Sequence, residues 1–192
     1  MMRRRPGDEI WLQGNVRPVL GLVAVAGCAL AACAGLLTVV GAGAWWWGVA
    51  GVAAAAIAVP AVALGYAASQ PRLVRRGDRL RVRLTPLATE ELPLEVVECV
   101  FPGSQPLGEP PEAGSAARRV GTMIVRVAER AASWHERPTV AAWGSWRDGS
   151  IAFDGRWCEP LSPEKIRAIA ARLLEAKREQ TAAGTPPGAG TP

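Results

Sequence analysis

The longest apolar segment of the chain, residues 18–71, contains no Asp, Glu, Lys, Arg or His. A helix needs about 20 apolar residues to cross the hydrocarbon core of a bilayer, so this segment has room for two crossings and a turn. Helix propensity is lowest at Gly41-Ala42-Gly43-Ala44, where two glycines occur in four residues. The pattern predicts a transmembrane helix hairpin over residues 17–67, with helices at about 17–40 and 45–67.

Tryptophan favours the headgroup level of a bilayer, so Trp45, Trp46 and Trp47 beside the turn predict the far membrane face. Pro60 removes a backbone donor inside the second helix and predicts a kink. Small residues recur at steps of three and four on both helices, which predicts two seams that pack against each other. The other interpretation is that an Ala-rich helix shows small residues on every face. The seam positions are Gly21, Ala24, Cys28, Ala31, Gly35 and Thr38 on the first helix, and Ala44, Gly48, Gly51, Ala55, Ala58 and, after Val62, Gly65 on the second.

The basic residues flank the hairpin and are missing from its turn. The net charge is +5, with 22 Lys and Arg residues, nearly all of them Arg. The positive-inside rule therefore predicts that both termini are cytoplasmic, and the Ala-, Gly-, Arg- and Pro-rich composition is typical of a GC-rich bacterium. Residues 1–16 are then a basic cytoplasmic leader at the bacterial inner membrane. The flanking residues are Arg3, Arg4, Arg5 and Arg17 before the hairpin, and Arg72, Arg75, Arg76, Arg79, Arg81 and Arg83 after it.

Cys28 and Cys33 each end a segment that looks like a lipoprotein cleavage box. A signal peptide has a short apolar core followed by a polar mature chain. Here the apolar segment continues well beyond Cys33, which disfavours cleavage and lipidation.

Alternating apolar and polar positions after the hairpin predict about six short antiparallel strands in a cytoplasmic domain, residues 70–180. Gly77-Asp78 predicts a type II′ hairpin turn, and Arg147-Asp148-Gly149 predicts a second compact turn. The third strand alternates irregularly and suggests a bulge. The predicted strands are residues 73–76, 79–85, 92–101, 119–129, 139–146 and 150–157.

The C-terminal part predicts one helix and a disordered tail, residues 181–192. Ser162 suits the N-cap and Pro163 the first helical position. Ile166, Ile169 and Leu173, with Ala170, recur at helical spacing and predict a face that packs on the sheet. Residues 102–117 are predicted to form a surface loop. Residues 130–137 fit either a turn of helix or a loop. Residues 10–12 fit either an anchor in the membrane interface or an ordered turn before the helix.

The chain is therefore predicted to be an α+β membrane protein. It resembles bacterial pleckstrin-homology-like (PH-like) membrane proteins in the segment Arg72-Leu73-Val74-Arg75-Arg76-Gly77-Asp78-Arg79-Leu80-Arg81-Val82 and in Leu92-Pro93-Leu94-Glu95-Val96-Val97. The resemblance implies a bent antiparallel sheet or barrel closed by one C-terminal helix. It also implies a scaffold or binding role and supplies no catalytic residues. The six predicted strands depart from the usual seven.

Residues that could carry chemistry are few and isolated. His135 is the only histidine, and no Ser or Cys lies in an obvious partner motif, so a catalytic role is disfavoured. Cys99 and Cys158 are single cysteines that fit no zinc pattern and suit small buried positions. The sequence predicts no enzyme, no cofactor and no metal site.

Two groups of residues suit binding. The arginines at positions 72, 75, 76, 79, 81 and 83 lie just after the second helix, where anionic lipid attracts cations by about 1 kcal/mol each; setting the topology alone is the other interpretation. Trp143 and Trp146 have opposite parity on one predicted strand, so at least one should face outward and is a candidate for a partner or membrane contact. The other interpretation, core packing, is expected for two of the four tryptophans of the domain, which are Trp134, Trp143, Trp146 and Trp157.

The predicted function is that of a membrane-anchored binding or scaffold protein. Its partners are membrane lipids, with a protein partner or a second copy of the chain also open. The alternative is a small accessory subunit of a larger membrane complex. Nucleic-acid binding is disfavoured because the basic residues crowd the bilayer and no nucleic-acid-binding motif is present.

Overall fold

The computed structural model describes residues 8–41, 43–106 and 119–184. They form an α+β chain with two long apolar helices, two antiparallel sheets and a C-terminal helix. Gly14–Gln70 is one compact unit, and a second unit joins the residues before it to those after it. The predictions for Ala42, for the three arginines at positions 3–5, for residues 107–117 of the loop and for residues 185–192 of the tail lie outside the described residues.

The two predicted apolar helices are confirmed as helices, at α1 (Arg17–Val39) and α2 (Ala44–Ser69). Both are long and apolar enough to cross a membrane, with mean hydropathies of 2.4 and 2.0. Gly41 lies between them with a positive φ of 69°, which the absence of a Cβ permits. Pro60 lies inside α2, and the kink that we expect there stays a prediction.

Apart from Gly65, which lies near Val19 of α1, the predicted small-residue seams do not form the contact between α1 and α2. Every predicted seam position from Gly21 to Gly35 on α1, and Gly48, Gly51 and Ala55 on α2, is exposed. A Cβ added at Gly21, Gly35, Gly48 or Gly51 would meet nothing within 4 Å among the described residues. The residues that are covered or partly covered lie on a neighbouring stripe of each helix. This stripe is Val19, Ala26, Leu30, Ala34 and Leu37 on α1, and Ala50, Ala54, Ala61 and Leu64 on α2.

The open ends of the hairpin lie close together. A Cβ added at Gly14 would lie 2.0 Å from the carbonyl oxygen of Ala68 and 2.5 Å from that of Gln70. Only glycine allows this approach. At the same end, a Cβ on Gly65 would lie 3.7 Å from Val19, which is ordinary contact distance.

The residues just before α1 form a strand, β1 (Asp8–Leu12), that the sequence analysis did not predict. β1 pairs with β2 (Leu73–Arg76), so neither an interfacial anchor nor an ordered turn describes residues 10–12. The physical reason is burial and charge. Trp11 and Leu12 are fully buried, and the register places Asp8 opposite Arg76.

β2 continues through a tight turn into β3 (Arg79–Val82), which pairs with β4 (Glu90–Pro93) to give the first sheet, in the order β1-β2-β3-β4. Gly77 has φ +59°, and Arg76 pairs with Arg79 across a two-residue loop, as the predicted turn requires. The predicted strand 92–101 is wrong as one element. A 3-10 turn, Leu94–Val96, separates β4 from β5 (Val97–Pro106), and the chain changes sheets there. The suggested bulge lies at the start of β5, between Val97 and Cys99.

The second sheet has the order β5-β6-β8-β7, with β6 (Arg119–Val127), β7 (Gly144–Arg147) and β8 (Ser150–Asp154). Residues 102–106, predicted as loop, extend β5, because they pair with β6 as far as Pro106. The turn between β7 and β8 is confirmed, with positive φ at both Asp148 and Gly149. Between β6 and β7, Ala132–Trp134 forms a 3-10 turn.

The predicted C-terminal helix is confirmed as α3 (Pro163–Gly184). Ser162 caps it, because its Oγ accepts the backbone N–H of Lys165 at 3.2 Å. The predicted inner face is buried at Ile166, Ile169 and Leu173, and α3 packs against β5. The helix continues through residues 181–184, which were predicted to belong to the tail.

Candidate functional site

Arg75 is held in an ion-pair cluster that joins β1, β2 and α3. Its guanidinium lies 3.8 Å from the Glu9 carboxylate and contacts the carboxylate of Glu179. Glu9 also lies 3.7 Å from Arg172 on α3. The carboxylates that surround Arg75 therefore neutralise a cation that was predicted to meet lipid.

Two further arginines of the predicted row pair across strands. Arg76 lies 3.8 Å from Asp8 of β1, and Arg81 lies 2.8 Å from Glu91 of β4. Partly exposed pairs of this kind contribute about 0–1 kcal/mol each, so they define register more than stability. They also lower the net positive charge that the first sheet presents, on which the predicted lipid contact depends.

Arg79 is the member of the row that remains exposed, beside the β2–β3 turn. Arg83 is half-buried, and its Nη1 donates to the Pro86 carbonyl at 3.5 Å. The predicted lipid contact of the whole row is therefore limited to Arg79, Arg83 and the solvent-exposed parts of the paired arginines.

Arg72 lies in the core of the domain and is 1% exposed, so it does not belong to the surface that the arginine row was predicted to form. Its guanidinium carbon lies 3.6 Å from the centre of the Trp143 ring, and its Nε donates to the Trp157 carbonyl at 3.3 Å. Nη1 and Nη2 find no hydrogen-bond acceptor among the described residues. Burial is the main reason that the pKa of Arg72 falls to about 10, and the charge of the nearby Arg83 contributes to this fall. Arg72 is therefore still a cation at neutral pH.

The expectation that Trp143 or Trp146 faces outward is wrong, since both are buried. Trp143 precedes β7, and the parity rule of a regular strand does not apply to it. Gly144, with φ +150°, reorients the chain between the two rings. A Cβ at Gly144 would lie 2.0 Å from the Ala152 carbonyl oxygen, so glycine is required for this close approach.

The tryptophans instead build a cation–aromatic core. Trp134 stacks on Trp146 with ring centres 6.4 Å apart, and Trp146 Nε1 donates to the Trp134 carbonyl at 2.7 Å. Arg137 lies 4.7 Å above the Trp134 ring. Trp143 and Trp146 therefore pack in the core, which was the other interpretation for two of the tryptophans.

Asp154 is a buried carboxylate that the sequence analysis did not single out. It is 1% exposed and accepts hydrogen bonds from Gln105 at 3.0 Å and from the backbone N–H of Arg156 at 2.8 Å. Its hydrogen bonds to the Arg156 side chain raise the pKa of that guanidinium. Both carboxylate oxygens of Asp154 therefore accept hydrogen bonds, and the side chain has a structural role.

Cys158 is 1% exposed and donates its S–H to the Asp154 carbonyl at 3.2 Å. Burial raises the pKa of this thiol to about 12, so it is a poor nucleophile at neutral pH. Cys99 is exposed, contrary to the expectation that it is a small buried residue, because Glu98 and Cys99 lie at the bulge that opens β5.

His135 is half-buried, and its Nε2 lies 3.2 Å from the Ala128 carbonyl. Within the described ranges, no group of His, Cys, Asp and Glu side chains could hold a metal ion. An open cavity of about 350 Å³ lies beside α3, lined by acidic and basic side chains together. Its lining residues are Glu95, Glu98, Ala128, Glu129, Arg130 and Lys177.

Trp45, Trp46 and Trp47 lie in the first turn of α2 and are 75%, 54% and 43% exposed. Their place at a bilayer interface stays a prediction.

Sequence reasoning also missed Asp8 and Glu9, which lie opposite Arg76 and Arg75 in the register; the only signal for them was charge complementary to the arginine row, more than sixty residues away. Comparisons of the chain with protein-family models, with curated proteins and with solved structures found no match.

Proposed function

We propose that the protein is a non-enzymatic, multi-pass protein of the bacterial inner membrane whose cytoplasmic, PH-like β domain binds a protein partner or anionic lipid headgroups. Two helices of 23 and 26 residues with exposed apolar faces support the membrane anchor. Leu20 is 61% and Val52 is 72% exposed to the surroundings. Such faces are expected for helices that lipid surrounds.

The observation that carries the proposal is the pairing of β1 with β2. β1 precedes α1 in the chain and β2 follows α2, yet Leu12 and Leu73 are partners in one sheet. Two crossings return the chain to its starting side, and one crossing does not. The pairing therefore favours an even number of crossings, with both termini on the side of the β domain. The positive residues around the hairpin favour the cytoplasm as that side.

The β domain supports a binding role and not a reaction, because its buried ionisable residues serve packing and its arginines pair with carboxylates. Arg72 and Asp154 are buried, and the carboxylates near Arg75, Arg76 and Arg81 hold those side chains. Arg79 remains exposed beside the β2–β3 turn, where it is available to an acidic group of a partner.

Membrane extraction and crosslinking test this proposal. Integral insertion predicts that the full-length protein stays in the membrane pellet after a carbonate wash, and its release would contradict the anchor. Crosslinking in native membranes then separates the ligands. A protein partner gives one heterologous adduct, whereas a lipid-binding role gives lipid adducts that decline when anionic lipid is depleted. An intact membrane protein that yields neither adduct would contradict the binding role.

A second candidate function, a small subunit of a larger membrane complex, is favoured by the outward-facing small residues. Gly21, Gly35, Gly48 and Gly51 leave open grooves on α1 and α2, and small residues let another helix approach closely. Gly35→Leu and Gly48→Leu would then shift the protein to a smaller species in mild-detergent size analysis. Leu30→Ala, a change on the covered stripe, serves as the control. Unchanged size in all variants would contradict this candidate.

A further inference from the structure

Two uncharged loops form an exposed apolar surface on the β domain, which we call the apolar tip. It consists of residues 85–89, Thr-Pro-Leu-Ala-Thr, and residues 138–142, Pro-Thr-Val-Ala-Ala. Leu87 is 99% exposed, the highest value among the large apolar side chains of the described residues, and Val140 is 38% exposed. Exposed apolar side chains that gather on two adjoining loops indicate a contact surface.

Hydrogen bonds fix the backbone of the two loops that form the apolar tip. The backbone N–H of Val140 donates to the Leu84 carbonyl at 2.9 Å, which ties the second loop to the first. The Thr85 hydroxyl accepts the N–H of Ala88 at 2.9 Å and donates to its carbonyl at 3.0 Å. Trp143 closes the second loop by donating its N–H to Val140 at 2.8 Å. These bonds hold Leu87 outward, and its exposure gives the fold no packing energy.

The position of the apolar tip indicates its partner. Arg83, two residues before the first loop, donates its backbone N–H to the carbonyl of Arg72 at 2.9 Å. Arg72 follows Ser69, the last residue of α2, by three residues, which span at most about 10 Å. The loops therefore lie at the end of the first sheet where the chain arrives from α2. The Gly77-Asp78 turn lies at the opposite end of the same hairpin.

The charges beside the apolar tip complement a lipid surface. The Arg83 side chain donates to the Pro86 carbonyl within the first loop, and Arg137 directly precedes the second. Arg137 also contacts Glu90 at 3.5 Å and remains partly exposed. Apolar side chains at the boundary of headgroups and acyl chains, with cations at phosphate depth, are the pattern of interfacial membrane binding.

We propose that the apolar tip inserts into the headgroup–acyl boundary of the bilayer that holds α1 and α2. The β domain is thereby docked on a phospholipid surface and is not free to tumble above it. This inference rests on the proposed membrane anchor and names the lipid leaflet as a direct partner of the β domain.

Depth-dependent quenching on the full-length protein in anionic proteoliposomes tests the inference. A background with Cys28, Cys33 and Cys99 replaced by Ser leaves only the buried Cys158. Single probe sites are then Leu87→Cys in the apolar tip, Asp78→Cys at the opposite end of the sheet and Val52→Cys on the exposed face of α2. Each carries an environment-sensitive fluorophore, and the lipids carry a spin label either near the glycerol backbone or near the bilayer centre.

The inference predicts that the probe at position 87 is quenched strongly by the shallow label, while the probe at position 78 is quenched by neither label. Equal quenching at positions 87 and 78 would overturn it. A probe at position 87 that is shielded from aqueous iodide but untouched by lipid labels would also overturn it, since a second copy or another protein would then cover the tip.

The probe at position 52 separates this inference from the proposed function. Quenching there by the deep label, without quenching at position 87, removes the docking and leaves the anchor. Loss of quenching at position 52 removes the anchor itself. As a second variant, Leu87→Glu should leave the unfolding temperature unchanged, because the side chain packs on nothing, and should make a probe at Val140→Cys accessible to iodide. A probe that stays shielded after this change would contradict insertion.

Discussion

Replacing Trp11 by Ala is the sharpest perturbation of the pairing between β1 and β2. Trp11 is 0% exposed and lies at the register shift between Ile10 and Leu12. Although it precedes the membrane helices in sequence, its ring packs in the domain that follows them. We therefore expect a change at position 11 to loosen strands more than sixty residues away, at Leu73–Arg76.

The magnitude follows from the buried ring. Truncating a core Trp to Ala costs about 3–5 kcal/mol. Trp11 Nε1 has no hydrogen-bond partner among the described residues, so removing it relieves about 1 kcal/mol of that cost. The net loss is roughly 2–4 kcal/mol, which is large against a domain stability of about 5–15 kcal/mol. Trp11→Phe keeps most of the ring, loses the unpartnered N–H and should change stability by about 1 kcal/mol or less.

Hydrogen exchange on the full-length protein in nanodiscs measures the effect at the β2 and β3 amides. A loss of 2–4 kcal/mol lowers their protection roughly 30-fold to almost 1,000-fold if exchange proceeds through unfolding of the domain. Trp45→Ala is the matched control, because Trp45 is 75% exposed and lies in α2. Unchanged protection in Trp11→Ala, equal to that of the control, would refute the reasoning that β1 belongs to the sheet.

Three further predictions concern single sites. Gly144→Ala should disrupt the β7–β8 pairing and lower the unfolding temperature by several degrees, because its Cβ would lie 2.0 Å from the Ala152 oxygen; Gly121→Ala, with open space around it, should not. Burial raises the pKa of Cys158 from 9.0 to about 12, so the native state keeps a proton that the unfolded chain loses. The contribution of Cys158 to stability should therefore fall as the pH rises from about 9 to 12, while the lowered pKa of Arg72 acts in the opposite direction above about pH 10. Denaturant titrations of the wild type and of Cys158→Ala should differ by the Cys158 contribution. Arg75→Gln should cost less than about 1 kcal/mol at low salt and nothing measurable at high salt, because its partners are exposed; a larger, salt-independent loss would contradict this account.

Local patterns in the sequence predicted the elements whose cause is local. The glycine of Gly77-Asp78, the Asp148-Gly149 turn and the Ser162 cap each act within a few residues, and each is present. The two apolar helices follow from composition alone. Their boundaries agree with the prediction to within two residues at each end.

Features that depend on distant residues were missed. The pairing of β1 joins residues more than sixty positions apart, so periodicity over a short window cannot detect it. The prediction of the small-residue stripes failed because spacing alone cannot tell which of several similar stripes faces the partner helix. Arg72 was assigned to a basic surface because it adjoins other arginines, whereas stacking on Trp143 holds it in the core.

The predicted row of cations illustrates the same limit for function. Counting arginines after α2 suggested a strongly basic face. The carboxylates that pair with Arg76 and Arg81 come from β1 and β4, elements that were not predicted with their observed bounds. Net charge along a sequence therefore overstated the charge of the folded surface.

The sidedness of cysteine labelling tests the central claim most directly, namely that the hairpin crosses the bilayer twice and returns to one sheet. In a background with Cys28→Ser and Cys33→Ser, the exposed Cys99 reports the β domain. Gly43→Cys, in the same background with Cys99→Ser, reports the turn, where an added Cβ meets open space. We predict that a membrane-impermeant maleimide labels Cys99 only in inverted vesicles and position 43 only in spheroplasts. Labelling of both positions from the same side of the membrane would contradict the account.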